Sequence, residues 1–218
     1  PPHNRTMVVT GAALLWVGWF GFNAGSAWAA DGTAGMAMLV THISAATGAL
    51  TWMAIEWFKG GKPTIVGIAT GMVAGLATIT PAAGSVGPEG ALLIGLMAGV
   101  ICFYATQAVK GLFGIDDSLD VFPVHGVGGI IGIIMVSFLG MQGGFLGLSA
   151  GEDPTEWVPM TQFLIQLKGI AVIGLWTLVA TWIILKLLGL LMPLRVTEEE
   201  EYEGLDVTEH EERSYDLV

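Results

Sequence analysis

The stretch "GKPTIVGIATGMVAGLATITPAAGSVGPEGALLIG", residues 61–95, decides the fold class of this chain. It contains an apolar stretch over residues 64–80, a turn-forming segment rich in proline and glycine, and the start of a second apolar stretch at residue 90. Neither apolar stretch carries a charged residue. A helix needs about 20 apolar residues to cross a bilayer. The pair therefore predicts two membrane-spanning helices joined by a short loop.

The same pattern recurs along the whole chain, which has six such stretches. They cover residues 7–29, 35–58, 64–80, 90–109, 121–139 and 161–192. Hydrophobic residues make up 53% of the chain and charged residues 12%. This balance is typical of membrane proteins. The sequence therefore predicts an all-α fold, a polytopic membrane helix bundle with six transmembrane helices.

Glycines recur at every fourth position within these stretches. The series are Gly67, Gly71 and Gly75; Gly95 and Gly99; Gly21 and Gly25; Gly128 and Gly132. In lipid, this spacing lets helix backbones approach closely. We expect a densely packed bundle.

The charge of the chain is concentrated at its C-terminal end. Residues 198–218 contain ten acids and one base, which account for −9 of the net charge of −11. We therefore divide the chain into a membrane domain, residues 1–195, and an acidic tail, residues 196–218. No basic face exists for nucleic acid, so we expect no nucleic-acid partner.

Basic residues predict the orientation in the membrane. Seven of the eight Lys and Arg residues fall on the side of the two termini: Arg5, Lys59, Lys62, Lys110, Lys186, Arg195 and Arg213. The opposite loops carry the acids Asp31, Glu89, Glu152, Asp153 and Glu156. Because positive loops stay in the cytoplasm, both termini are predicted to be cytoplasmic, in a multi-pass protein of the inner (plasma) membrane.

The sequence offers no sign of an enzyme. The single cysteine, Cys102, lies in an apolar run, so it forms no disulfide within the chain and no thiolate metal site. No HExxH, GxSxG or P-loop spacing occurs, and no carboxylate cluster lies within the spans. We expect no catalytic residues, no metal and no cofactor.

One face of the first span carries residues suited to a cation. Leu15, Trp19, Phe22 and Ser26 recur at the spacing of one helical face. Aromatic rings attract cations, and a hydroxyl accepts hydrogen bonds. The alternative is an interfacial belt of aromatic residues with no role in recognition.

Two histidines lie within apolar spans. In "DVFPVHGVGGIIGIIM", residues 120–135, we expect Asp120 to cap the helix that carries His125, with Pro123 in its first turn. His125 either lines a pathway or hydrogen-bonds a neighbouring helix, because intramembrane ionisable residues have both uses. For His42 we expect packing with a satisfied hydrogen bond.

Four segments in this order closely resemble the ammonium transporter family (Amt/Mep/Rh), on its bacterial Amt side. They are "GWFGFNAGSA", residues 18–27; residues 61–95, quoted above; "DDSLDVFPVHGVGGIIG", residues 116–132; and "EYEGLDVTEHEERSY", residues 201–215. The match corresponds to the last six membrane helices and the tail of that family, half of its inverted-repeat fold. It implies transport of ammonium or ammonia, a trimeric homo-oligomer, and a tail that binds PII-type signalling proteins.

The resemblance also implies roles for individual residues. Trp19 and Ser26 match an outer site that binds ammonium, Phe22 a pore gate, His125 a pore histidine that relays protons, and Asp120 a structural aspartate. Leu15, Val73, Thr80 and Val121 match positions in the pore wall. The cation would lose a proton near the gate, and ammonia would pass His125, whose ring can pass a proton while remaining uncharged.

The family's other pore histidine, gate phenylalanine and outer tryptophan come from helices that precede this match. The chain alone is therefore expected to hold half a pore, completed by a missing N-terminal half or by self-association. Two other functions stay open: a non-conducting membrane platform or ammonium sensor that acts through the tail, and a channel for small neutral solutes.

Overall fold

A computed structural model of the chain describes residues 2–140, 159–213 and 215. The predicted loop "GLSAGEDPTEW", with Glu152, Asp153 and Glu156, lies outside these residues. The helices are α1 Arg5–Gly25, α2 Gly32–Gly60, α3 Ile65–Ile79, α4 Pro88–Gln107, α5 Gly128–Leu139, α6 Pro159–Leu188, α7 Glu198–Glu203 and α8 Leu205–His210. Between residues 2 and 140 the one β-type pairing is an isolated bridge between Val86 and Gly140. The predicted all-α class is confirmed.

Two short segments of π-helix interrupt this pattern. One, Ala108–Leu112, directly follows α4, and the other, Phe122–Val127, directly precedes α5. The predicted spans covered all of the second segment and residues 108 and 109 of the first, as ordinary helix. Such wider turns shift the side chains that follow them around the helix axis, and they often occur at functional sites.

Five helices are long and apolar enough to cross a membrane: α1, α2, α4 with its π segment, α5 with its π segment, and α6. The remaining predicted span, residues 64–80, is shorter, since α3 has 15 residues. At 1.5 Å per residue, α3 is about 22 Å long and falls short of the hydrocarbon thickness.

Side chains fix where the first helices begin. The Asn4 side chain accepts a hydrogen bond from the backbone of Met7 at the start of α1. Asp31 accepts two backbone N–H groups at the start of α2, and Thr64 accepts that of Gly67 at the start of α3. These bonds satisfy donors that the first helical turn would otherwise leave without a partner. Gly61 ends α2 with φ +75°, a conformation that favours glycine.

The chain divides into two compact units, Pro1–Lys168 and Gly169–Val218. In the first unit, α2, α3 and α4 form the packed centre. Its largest fully buried side chains include Val40, Leu76, Ile79 and Ile94. Glycines allow this packing: a methyl group at Gly48 would meet the carbonyl oxygen of Gly71 at 2.5 Å. The expected dense packing is therefore present here.

One predicted glycine pair does not pack. Gly21 and Gly25 have no atom within 4 Å of the position that a side chain would occupy, because both lie on an exposed part of α1. The four-residue spacing thus marks close contacts in α3, α4 and α5 and open space in α1.

The second unit contains the C-terminal part of α6 and the tail. No residue of α6 is buried in this structure. In the tail, Thr197 and Glu200 form a reciprocal capping box at the start of α7. The Arg195 guanidinium donates two hydrogen bonds to the Glu201 carboxylate, at 2.5 and 3.0 Å.

Candidate functional site

The face of α1 that the sequence singled out lines an open groove. Leu15, Trp19 and Phe22 bound a volume of about 560 Å³ together with Gly11, Leu14 and Gly18. Leu15 and Phe22 are exposed in this chain, and Trp19 is half-buried. A groove with almost entirely apolar walls lies along the predicted pore face.

Trp19 is at the centre of the polar and aromatic contacts of this groove. Its indole N–H donates a 2.7 Å hydrogen bond to the hydroxyl of Thr80 on the adjacent end of α3. Its ring is nearly parallel to that of His125, with 6.4 Å between ring centroids and 14° between planes. It meets Phe22 edge-on at 6.0 Å. The structure thus brings Trp19, Phe22, Thr80 and His125 together from three parts of the chain.

His125 lies on the π segment and is exposed beside the groove. Within the described residues its ring makes no hydrogen bond, and its one aromatic neighbour there is Trp19. No helix among these residues covers the ring. The open alternative of a hydrogen bond to another helix is not formed among the residues that the structure describes.

The backbone around His125 is held against α3 by glycines. A methyl group at Gly128 would lie 2.7 Å from the hydroxyl of Thr78, and one at Gly132 would collide with the Thr78 carbonyl. The next helix therefore contacts α3 backbone to backbone. This close contact places the π segment, and with it His125, beside Trp19.

The expected cap of the His125 helix is wrong. The Asp117 side chain, not that of Asp120, accepts the backbone N–H groups of Val121 and Phe122, at 2.9 and 2.8 Å. Asp120 adopts a left-handed conformation, φ +56°, and its carboxylate forms an ion pair with Lys110 at 2.8 Å. Because Asp117 lies one turn earlier, its side chain reaches the N–H groups, and Asp120 remains available for the lysine.

Ser26 lies in a second, smaller pocket of about 180 Å³. Phe22 and Thr80 line this pocket as well, so it adjoins the Trp19 cluster. The Ser26 hydroxyl donates to the carbonyl of Phe22 at 2.7 Å, which leaves its oxygen lone pairs able to accept from a ligand.

Asn23 is a residue of this pocket that the sequence analysis missed. It is buried, and its amide donates to the hydroxyl of Thr41 on α2 at 2.9 Å. An amide in an apolar span is the signal that would have found it, because a buried polar group requires a partner. It ties the C-terminal end of α1 to α2.

The other predicted wall residues lie around this cluster. Val73 is half-buried and packs, as Trp19 does, against the cluster formed by Ala12, Ala45, Met72 and Leu76. Val121 is exposed one turn before His125. The roles given to these residues stay predictions.

The hydrogen bond expected for His42 is not formed among the described residues, although the ring packs against two aromatic side chains of α1. Its ring is exposed, and it makes no hydrogen bond within the described residues. Its neighbours are the rings of Trp16, at 5.1 Å, and Phe20, at 5.9 Å. Trp16 and Phe20 lie on a different side of α1 from Leu15 and Trp19, since each residue turns the helix by about 100°. His42 therefore lies away from the groove.

A half-buried carboxylate also escaped the sequence analysis. Glu56, near the end of α2, accepts the backbone N–H of Thr64 at 2.6 Å and the indole N–H of Trp52 at 3.3 Å. It lies against Gly67, where a side chain would collide with it. These contacts fix the turn between α2 and α3, which is a structural role. Within the described ranges, no cluster of three potential metal ligands occurs.

A helical bundle with apolar helices of membrane length and a groove lined by aromatic rings, a hydroxyl and an imidazole defines a polytopic membrane protein with a candidate solute path. The Ammonium Transporter Family model matches residues 1–215. The chain belongs to this family.

Similarity to individual proteins supports this family membership. An ammonium transporter of Aquifex aeolicus is 45% identical over 218 residues, which cover 99% of this chain and 50% of that protein. The crystal structure of Saccharomyces cerevisiae Mep2 has a TM-score of 0.77 and 39% identity over 88% of this chain and 46% of that one. A structure named Sensor Amt Protein has a TM-score of 0.85 and 30% identity over 95% of this chain and 49% of its own.

The chain spans about half the length of the curated relatives it matches. Those relatives are named transporters, not enzymes, and several membrane-length helices agree with a multi-pass membrane protein.

Proposed function

We propose that this chain forms one wall of a pore that conducts ammonium or ammonia across the inner (plasma) membrane. The observation that carries the proposal is the cluster in which Trp19 contacts Phe22, Thr80 and His125 beside an apolar groove. Family membership and relatives named ammonium transporters support the substrate.

The groove favours a neutral species over a cation. A bare ammonium ion in an apolar lumen would carry a large desolvation penalty. The ring faces of Trp19 and Phe22 and the oxygen of Ser26 offset part of it at the outer end, where the cation is held. Deprotonation there lets ammonia enter. His125 then offers ring nitrogens that accept and pass a proton while the ring itself stays neutral.

A second wall is required, because Leu15, Phe22, Val121 and His125 are exposed in this chain. We propose that helices equivalent to the first half of the curated relatives supply it, either as an N-terminal half or by self-association, within a trimer. The positions of Arg5, Lys59, Lys62, Lys110 and the other basic residues support cytoplasmic termini.

The test is uptake of methylammonium by the full-length assembled protein. We expect His125→Ala and Phe22→Ala to reduce uptake strongly. The matched controls are Phe20→Ala and His42→Ala. Phe20 lies on α1, as Phe22 does, and His42 lies beside Phe20 on α2. Both face away from the groove, so these variants should transport normally. Normal uptake by both groove variants would remove the roles assigned to His125 and Phe22.

A second candidate function is an ammonium sensor or membrane platform that acts through the tail. It is favoured by the similarity to the structure named Sensor Amt Protein and by the exposed acidic helices α7 and α8. The partner would be a PII-type signalling protein. Deletion of residues 196–218 separates the two functions: a transporter keeps conducting and loses regulation, whereas a platform loses its function.

A further inference from the structure

We propose that Lys110 and Asp120 are a positioning pair that holds His125 at the groove. The inference rests on the proposed function, which makes the place of the His125 ring matter. It starts from the contacts of that ring, which is exposed and meets only Trp19 among the aromatic residues that the structure describes. With no hydrogen bond of its own there, the ring depends on its backbone for its position.

That backbone is held from two sides. Toward the C-terminal side, Gly128 and Gly132 lie against Thr78 of α3, as described above. Toward the N-terminal side, Asp120 lies two residues before the π segment, and its carbonyl accepts the backbone N–H of Val124 at 3.1 Å. The position of Asp120 therefore sets where the first turn before His125 begins.

The ion pair links the two π segments. Lys110 belongs to the π segment Ala108–Leu112 at the end of α4, and Asp120 lies two residues before the one that carries His125. Their charged atoms lie 2.8 Å apart, and the exposed fraction of the side chain is 43% for Lys110 and 22% for Asp120. A pair that is partly shielded from water keeps more of its Coulomb attraction than one at a fully exposed surface.

Asp120 is suited to this place for a second reason. Its φ of +56° is a conformation that aspartate and asparagine tolerate better than most residues. The backbone N–H groups of Val121 and Phe122 are taken by Asp117, so no helix cap competes for the Asp120 carboxylate. Two different aspartates thus serve the two contacts: Asp117 caps the helix, and Asp120 pairs with Lys110.

The experiment follows the ring itself. His125 ring protons are recorded by NMR in the full-length protein with labelled histidine, and their signals are assigned with His125→Gln. The nearly parallel Trp19 ring shifts these signals, so they report the distance between the two rings. We expect Lys110→Gln, which keeps most of the side-chain stem, to change them and Lys110→Arg to restore them. Asp120→Asn, which tolerates the same backbone, should act as Lys110→Gln does.

Transport is the second measurement. We expect Lys110→Gln to lower the maximal rate of methylammonium uptake roughly fivefold to tenfold with KM unchanged, since a small misplacement of a reacting group is costly. The matched control is Lys59→Gln, a lysine at the same end of the bundle whose Nζ lies over the rings of Phe103 and Tyr104. It should change neither the ring signals nor the rate.

Three results would overturn the pair: unchanged His125 signals in Lys110→Gln and Asp120→Asn, displaced signals in Lys110→Arg, or equal effects of Lys59→Gln. The failures are distinguishable. Normal uptake by His125→Ala would refute the proposed role of His125 in transport, whereas the ring signals would still show whether Lys110 and Asp120 position the ring.

Discussion

Glycines in two regions of this bundle meet opposite surroundings. Gly75 of α3 faces α2, where an added methyl group would lie 2.9 Å from the Cα of Ala45 and would collide with the Ser44 carbonyl. Gly18 of α1 lines the groove, and nothing lies within 4 Å of the same position. One glycine lets two helix backbones touch, and the other leaves space beside Trp19. Glycine spacing alone therefore indicates close packing only where a partner helix is present.

The largest expected effect comes from Gly75→Ala. The added methyl group has backbone on its far side, which cannot move without separating α2 from α3 and breaking the hydrogen bond from the Ser44 hydroxyl to the Gly75 carbonyl. We expect a loss of about 3 kcal/mol or more in the free energy of unfolding, at the upper end of overpacking effects. Thermal unfolding in detergent measures it.

Gly18→Ala is the matched control for that change. Alanine favours helix over glycine by about 1 kcal/mol, and the new methyl group meets open space. The same substitution should thus have opposite signs in the two regions. Equal destabilisation by both variants would contradict the comparison.

The next effect concerns the groove itself. Gly18→Phe adds a ring to the groove volume of about 560 Å³ without touching the packed centre. Because conduction depends on pore width, we expect uptake of methylammonium to fall roughly tenfold or more with unchanged thermal stability. Gly35→Phe is the control, since Gly35 of α2 also has no atom within 4 Å and does not line the groove. Full uptake by Gly18→Phe would exclude the groove as the solute path.

The sequence predicted the class of fold and the spans because apolar length and the scarcity of charge are local properties. It predicted the groove face of α1 because Leu15, Trp19, Phe22 and Ser26 share a helical face. It placed the helix cap on Asp120, and this was wrong, because Asp117 reaches the backbone N–H groups instead. Which side chain reaches them depends on the backbone conformation, which the sequence alone does not show.

Contacts between distant segments were beyond the sequence. The hydrogen bond between Trp19 and Thr80 joins α1 to the end of α3, and no local sequence pattern predicts it. The surroundings of His42 depend on which side of α1 packs beside its ring, and this follows from helix packing. The π segments were missed because apolar periodicity over one turn does not distinguish them from α-helix.

A smaller effect is expected at the edge of the groove. Thr80→Val keeps the shape of the side chain and removes the acceptor for the Trp19 indole N–H. Trp19 is half-buried, so the loss should be about 1 kcal/mol of stability. The Trp19 ring should also move relative to His125, and uptake should fall. Thr47→Val is the control, because the Thr47 hydroxyl bonds only the carbonyl of Ile43 in its own helix. Equal behaviour of the two variants would contradict a special role for the Trp19 bond.

The tail helices α7 and α8 have no buried residues and do not line the groove. The effect expected for a change in the tail is therefore the smallest. The backbone N–H of Thr197 and then its hydroxyl lower the pKa of Glu200, and the hydrogen bonds from Arg195 lower the pKa of Glu201. A lowered pKa in the folded state means that these contacts stabilise α7 above the ordinary glutamate value of 4.5 and are lost as pH falls through the lowered values. We expect the amide signals of Thr197 and Glu200, followed by NMR, to move toward unfolded values below about pH 4, while α2 and α3 signals stay. Thr197→Val removes the hydroxyl and keeps the backbone N–H, so it should move the Glu200 amide signal partway toward its unfolded value already at neutral pH. Tail signals that stay unchanged down to pH 2 would show that something other than these two carboxylates holds α7.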